Sequence, residues 1–135
     1  MVCLDSLIIK RIAGETPKIL LIQRKKDPYA GTWACPGGFL ELDETLEAGA
    51  ARDLEEETGI TGIELTQYHA FGHLERDPRG RNISIAYYGF ADESHQPKAA
   101  DDAESVGWFS IDALPTLAFD HDNMIFTGLK AAGIL

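Results

Sequence analysis

The spacing of apolar positions divides the chain into segments. Val2–Lys10 mixes apolar and polar residues and predicts a first strand, although Asp5 and Ser6 interrupt it. Ala13–Pro17 is a turn punctuated by Gly14 and Pro17. Lys18–Arg24 carries Ile19, Leu20, Leu21 and Ile22 in succession, too short for a helix and suited to a buried strand. The stretch 28–38 is rich in loop formers, with Trp33 as its anchor and Pro36-Gly37-Gly38 as a tight break that allows close backbone approach. The period then changes. Leu46, Ala50 and Leu54 share one face of a helix over Leu46–Thr58, with Asp43 or Thr45 as its cap and Gly59 as its stop. Ile63–Phe71, Asn82–Phe90 and Ser105–Phe109 predict further strands, separated by a charged loop, Glu75–Arg81, and a polar one, Ala91–Asp102. After a short turn at Ile111–Pro115, Asp120 or Asp122 caps a last helix that runs to about Ala132 and ends at Gly133. The elements interleave without regular βαβ alternation, which predicts an α+β fold over a doubly wound sheet.

Charge changes the picture at the first helix. Asp53, Glu56 and Glu57 fall at i, i+3 and i+4, and Glu55 adds a fourth acid to the same turn. Like charges at this spacing repel, and the C-terminal end of a helix prefers cations. Four misplaced acids cost about 1–4 kcal/mol. A local rule broken this heavily marks a functional site, and a divalent cation would turn the repulsion into ligation. Gly49, four residues before Asp53, either leaves room for a cation and phosphate or is a tolerated helix glycine costing about 1 kcal/mol.

The segment from Gly38 to Ile60 resembles the Nudix hydrolase signature, Gly-x5-Glu-x7-Arg-Glu-U-x-Glu-Glu-x-Gly-U, where U is aliphatic. Gly38, Glu44, Arg52, Leu54, Glu56, Glu57, Gly59 and Ile60 match it, and Asp53 stands where the family usually has Glu. The resemblance implies an α/β/α sandwich around a mixed sheet and hydrolysis of a nucleoside diphosphate derivative with Mg2+, or with Mn2+. It implies that Asp53, Glu56, Glu57 and Gly37 hold the metal, and that Arg52 and Glu44 pair to orient the helix and its preceding loop. The general base is Asp53, Glu57, Glu41 or Glu104. The flanks QRKKDPYAGTWACPGGF, FGHLERDPRGRNISIAYYGF and LPTLAFDHDNM resemble ADP-ribose pyrophosphatases and ADP-ribose-sensing domains. Cleavage of ADP-ribose to AMP and ribose 5-phosphate is therefore the first expectation. A nucleoside triphosphate or dinucleoside polyphosphate pyrophosphohydrolase is the second, and a non-catalytic sensor the third.

Recognition groups follow from residue chemistry. Arg76, Arg79 and Arg81 surround Gly80, and guanidinium forks suit phosphate or ribose oxygens. Arg24 belongs to a second basic cluster, and Glu104 is either a reserve carboxylate within reach of the site or a surface loop acid. Tyr87, Trp108 and Phe71 are apolar enough to stack on a base but are expected in the core, and His121 at the core or a pocket rim. At 135 residues the chain is expected to form a single domain over residues 1–135. A net charge of −10 argues against general nucleic-acid binding, so a small nucleotide is the expected partner, with a homodimer as an open alternative. The absence of a long apolar run argues against a membrane span. No signal peptide is visible, and Cys3 and Cys35 lack metal spacing, so the expected setting is cytoplasmic with reduced thiols.

Overall fold

The structure, a computed structural model, describes residues 1–98 and 103–135, without the side chains of Ala103 and Glu104. Among the described residues, seven strands and two helices follow in the order β1 (Val2–Lys10), β2 (Lys18–Arg24), β3 (Trp33–Ala34), β4 (Gly37–Phe39), α1 (Leu46–Thr58), β5 (Thr66–Phe71), β6 (Ile83–Ala91), β7 (Ala103–Ser110) and α2 (His121–Ala131). The sheet is mixed. β1 runs parallel to β6, and the other pairs are antiparallel.

The two faces of the sheet are set by alternation along β1 and β2. Leu7, Ile9, Ile19 and Leu21 point to one face and pack with Met124, Ile125 and Leu129 of α2. Leu4, Ile8 and Leu20 point to the other, where Ala50 and Leu54 of α1 cover them. This is the expected α/β/α sandwich. Tyr87 and Phe71 are buried in it, as their apolar bulk predicts. Among the described residues no helix is long and apolar enough to cross a membrane.

The sheet opens where the site lies. β1 and β2 pair only at Ile9 with Ile19 and Lys10 with Lys18. Beyond those pairs they diverge, and residues 33–39 fill the gap. β3 pairs with β2 through Ala34 and Trp33, while β4 pairs with β1 through Gly37, Gly38 and Phe39. Ser6 N–H donates to Pro36 O at 2.9 Å across the join. The stretch read as loop therefore contains two short strands, whose hydrogen bonds come from partners distant in sequence. Gly37 is required there, because a Cβ would stand 2.3 Å from both Asp5 Oδ1 and Leu4 O.

Boundaries shift for local reasons. Thr45 caps α1 by accepting from Ala48 N–H at 3.1 Å, and Gly59 at φ 75° closes it. Asp120 occupies the cap position of α2 without a side-chain cap bond, because Arg76 holds its carboxylate. Asp122 lies inside that helix. β5 begins at Thr66, and the preceding Ile63 and Leu65 pack beneath α1 with Leu54 and Ile8. Gly49 does not hold space for a ligand. A Cβ there would meet Leu4 Cδ1 at 2.5 Å and Glu44 Oε1 at 2.8 Å, so its absence lets α1 settle on β1.

Candidate active site

Arg52 gathers the acids of α1 and of the loop before it. Its Nε and Nη2 donate to Glu44 Oε2 and Oε1 at 2.8 and 2.6 Å, a two-point pairing. Nη2 also reaches Phe39 O at 3.1 Å. Nη1 contacts Asp53 Oδ1 at 2.8 Å and Glu56 Oε2 at 3.0 Å, with Glu41 at 3.7 Å. Glu44 accepts from Glu41 N–H as well, which ties the loop to the helix. The Arg52 guanidinium and the Glu41 amide lower the Glu44 pKa to about 2.

Asp53 differs from its neighbours. Its carboxylate is buried against Gly38, where a Cβ would come within 2.8 Å of Oδ1. Oδ2 is buried and has no hydrogen-bond partner among the described residues. Burial raises its pKa to about 7. Arg52 opposes the rise, and Glu56, Glu44 and Asp5 add to it. Glu56 points outward, while Glu57 lines a cleft on the adjoining face.

That cleft, about 110 Å³, occupies the opening between β1 and β2. Gly37, Gly38, Phe39 and Glu57 line it together with Arg24, Arg79 and Phe119. Cys3, Asp5, Cys35 and His121 line it further in. Phe119 adopts φ 49°, a left-handed conformation that is unfavourable for a residue with a side chain and characteristic of functional sites. The Arg24 and Arg79 guanidinium groups both lie over its ring, at 4.9 and 5.0 Å, and Arg79 also lies 5.4 Å from the Phe39 ring.

The expected arginines separate into distinct positions. Arg79 and Arg24 reach the cleft with partly accessible side chains. Asp77, itself buried, grips Arg79 through Nε and Nη2 and also accepts from Asn82 Nδ2. Arg76 borders the cleft but is buried, with Nε and Nη2 on the two oxygens of Asp120 at 2.9 and 2.7 Å, which leaves it little freedom to meet a ligand. Arg81 does not line the cleft; it is exposed and donates to His73 O at 3.4 Å. The Glu104 side chain lies outside the described residues. His121 is buried and lines the cleft, as expected of a core or pocket-rim residue. Asp5, Asp77 and Phe119 escaped the sequence reading, because strand and loop positions give no periodic sign of what they face.

The donors suit a hard divalent cation in kind: the carboxylates of Asp53, Glu56 and Glu57, with a buried oxygen of Asp53 lacking a partner. In this arrangement the Arg52 guanidinium holds Asp53 and Glu56. Among the described residues no three His, Cys, Asp or Glu side chains converge on one point.

Comparison with known proteins agrees with this geometry. The NUDIX domain pattern matches residues 6–127. An ADP-ribose pyrophosphatase of Methanocaldococcus jannaschii is 42% identical over 120 residues, covering 89% of this chain and 70% of that protein. An ADPR responsive transcriptional repressor, NtrR, of Acinetobacter baylyi is 38% identical over 112 residues, covering 80% of this chain but only 45% of the repressor. The NUDIX domain of Shewanella oneidensis NrtR, crystallised with ADP ribose, superposes with a TM-score of 0.87 at 26% identity, over 98% of this chain and 88% of that one.

Proposed function

The chain belongs to the NUDIX family and is a Nudix hydrolase, and on that premise we propose that it cleaves ADP-ribose to AMP and ribose 5-phosphate with Mg2+, Mn2+ being able to substitute. The observation that carries this reading is the cleft itself. It joins a carboxylate of the acid helix, Glu57, to two guanidinium groups, Arg24 and Arg79, that lie over an aromatic ring. A diphosphate diester needs both signs of charge in one place. Similarity to the M. jannaschii pyrophosphatase supports the same substrate.

A divalent cation held by Asp53, Glu56, Glu57 and the Gly37 backbone would neutralise charge on the diphosphate and make a bound water acidic. The chain's own groups do the rest. Arg79 and Arg24 bind phosphate oxygens, and their contact with the Phe119 ring restrains them before substrate arrives. Arg52 and Glu44 are positioning residues: their two-point bond locks the loop 37–44 to α1, so the acids keep their places as ligands come and go.

The test is turnover of ADP-ribose with Mg2+, products separated by chromatography, beside ATP, dGTP and diadenosine polyphosphates. Preference for ADP-ribose supports the proposal, and equal rates across the panel favour a broader nucleotide hydrolase. A second reading, a sensor that binds ADP-ribose without cleaving it, is favoured by Asp53 in place of the usual Glu and by the similarity to the A. baylyi repressor. Tight binding with no product after prolonged incubation would select it.

A further inference from the structure

His121 carries a feature that packing alone does not require. It opens α2 and is buried to 4% exposure on the inner wall of the cleft. Its Nδ1 accepts from Cys35 N–H at 3.0 Å. A nitrogen that accepts carries no proton, so the neutral ring bears its proton on Nε2. Burial, with Arg76 and Arg24 nearby, lowers the pKa, although Asp5 and Asp120 oppose this, and the ring stays neutral at pH 7. Among the described residues Nε2 meets no hydrogen-bond partner, and the ring's remaining polar edge is the one left for the cleft. Nε2 is not among the buried unpartnered atoms, which places this donor at the open cleft, where a ligand oxygen can meet it.

Asp5 supplies the complement. It too is buried on the inner wall, and it is the carboxylate that acts most strongly on the His121 ring. Its Oδ2 accepts from the Ser84 hydroxyl, and Oδ1 flanks Gly37. The surrounding Cys3 and Cys35 thiols stay protonated, because burial pushes both above their ordinary value. Arg76 is committed to Asp120. Arg24 and Arg79 line the same cleft and are left for phosphate, while a carboxylate beside an unshared donor accepts hydroxyl groups.

We propose that the inner cleft is a subsite for a ribose diol, in which His121 Nε2–H donates to one hydroxyl oxygen and the Asp5 carboxylate accepts a hydroxyl proton. It deepens the ADP-ribose reading and rests on it for the identity of the whole substrate. ADP-ribose has two riboses, and the same chemistry serves either.

The experiment compares ADP-ribose with its 2′-deoxy analogue on the adenosine side and its 2″-deoxy analogue on the terminal side, in the wild type, His121→Phe, His121→Gln and Asp5→Asn, with ATP against dATP and GTP against dGTP alongside. The wild type should prefer the hydroxylated form of one pair by at least tenfold in kcat/KM or affinity. His121→Phe should abolish that preference, and His121→Gln, which keeps a donor at similar reach, should restore part of it. Asp5→Asn should reduce it and provides the reading if His121→Phe does not fold. The deoxy analogue that loses most identifies which ribose is held. If ADP-ribose is neither bound nor cleaved but the preference appears on a nucleoside triphosphate and vanishes in His121→Phe, the subsite stands and the ADP-ribose reading falls. A wild type without preference on any pair, or a preference that survives in His121→Phe and Asp5→Asn, overturns the inference.

Discussion

Asp53 is buried with one carboxylate oxygen on Arg52 and the other without a partner. A charge in that position works against the folded state when no cation is bound. Because its pKa rises from 3.8 to about 7 on folding, the folded protein binds the proton more tightly. The metal-free protein therefore loses stability as pH rises from about 4 to about 7, and the loss is complete above that. Asp53→Asn should remove this slope and raise the metal-free Tm at pH 8 by a few degrees, read by thermal melts in chelator. The same substitution should abolish most turnover. Glu57→Gln should also cut kcat by at least tenfold at saturating Mg2+ with little change in Tm, since Glu57 faces the cleft and not the core. Unchanged kcat would remove Glu57 from the site.

At the scale of elements, the loop 73–82 is built to hold one side chain. Arg76 pins it to the start of α2 through Asp120, and Asp77 turns back to grip Arg79. Burial pushes Asp77 upward, but hydrogen bonds from Arg79 and Asn82 prevail and hold its carboxyl well below the usual range. The stability it contributes is thus complete above its ordinary value of 3.8 and lost as pH falls through the lower folded value. Asp77→Asn should free Arg79 and raise KM for ADP-ribose several-fold, with a smaller change in kcat; an unchanged KM would separate Arg79 from substrate binding. The contact of α1 with the sheet gives a second prediction. Gly49→Ala adds a methyl against Leu4 and Glu44, and overpacking costs about 1–3 kcal/mol while helix propensity returns about 1 kcal/mol. Urea unfolding should show a net loss.

For the whole molecule, the net charge of −10 repels polyanions, so under the proposed function an anionic substrate would depend on the local field of Arg24 and Arg79, which line the cleft. Cation binding to the folded state alone should stabilise it. At about a hundred times Kd, Mg2+ adds about 2.7 kcal/mol. The Tm should therefore climb with Mg2+ at pH 8, and Glu56→Gln should flatten the climb. A wild-type Tm indifferent to Mg2+ and Mn2+ would contradict the assignment of these acids to a cation.

Local patterns carry what depends on neighbours in sequence. The helix at Leu46–Thr58 was legible because Leu46, Ala50 and Leu54 repeat at its period, and the acid cluster because its repulsion acts within one turn. The sandwich was legible once the signature from Gly38 to Ile60 suggested the family. The tertiary structure alone decided the rest. The strands β3 and β4 exist only because β1 and β2 diverge and leave their edges to pair. Arg76 and Arg79 are indistinguishable in the sequence, yet a carboxylate 44 residues away makes one a buried strut, while the other is held over the cleft. Asp5, Cys35 and His121 meet from three separate segments. A residue's chemistry is written in its side chain, but its partner and its desolvation are set by which distant segment the core packs against it.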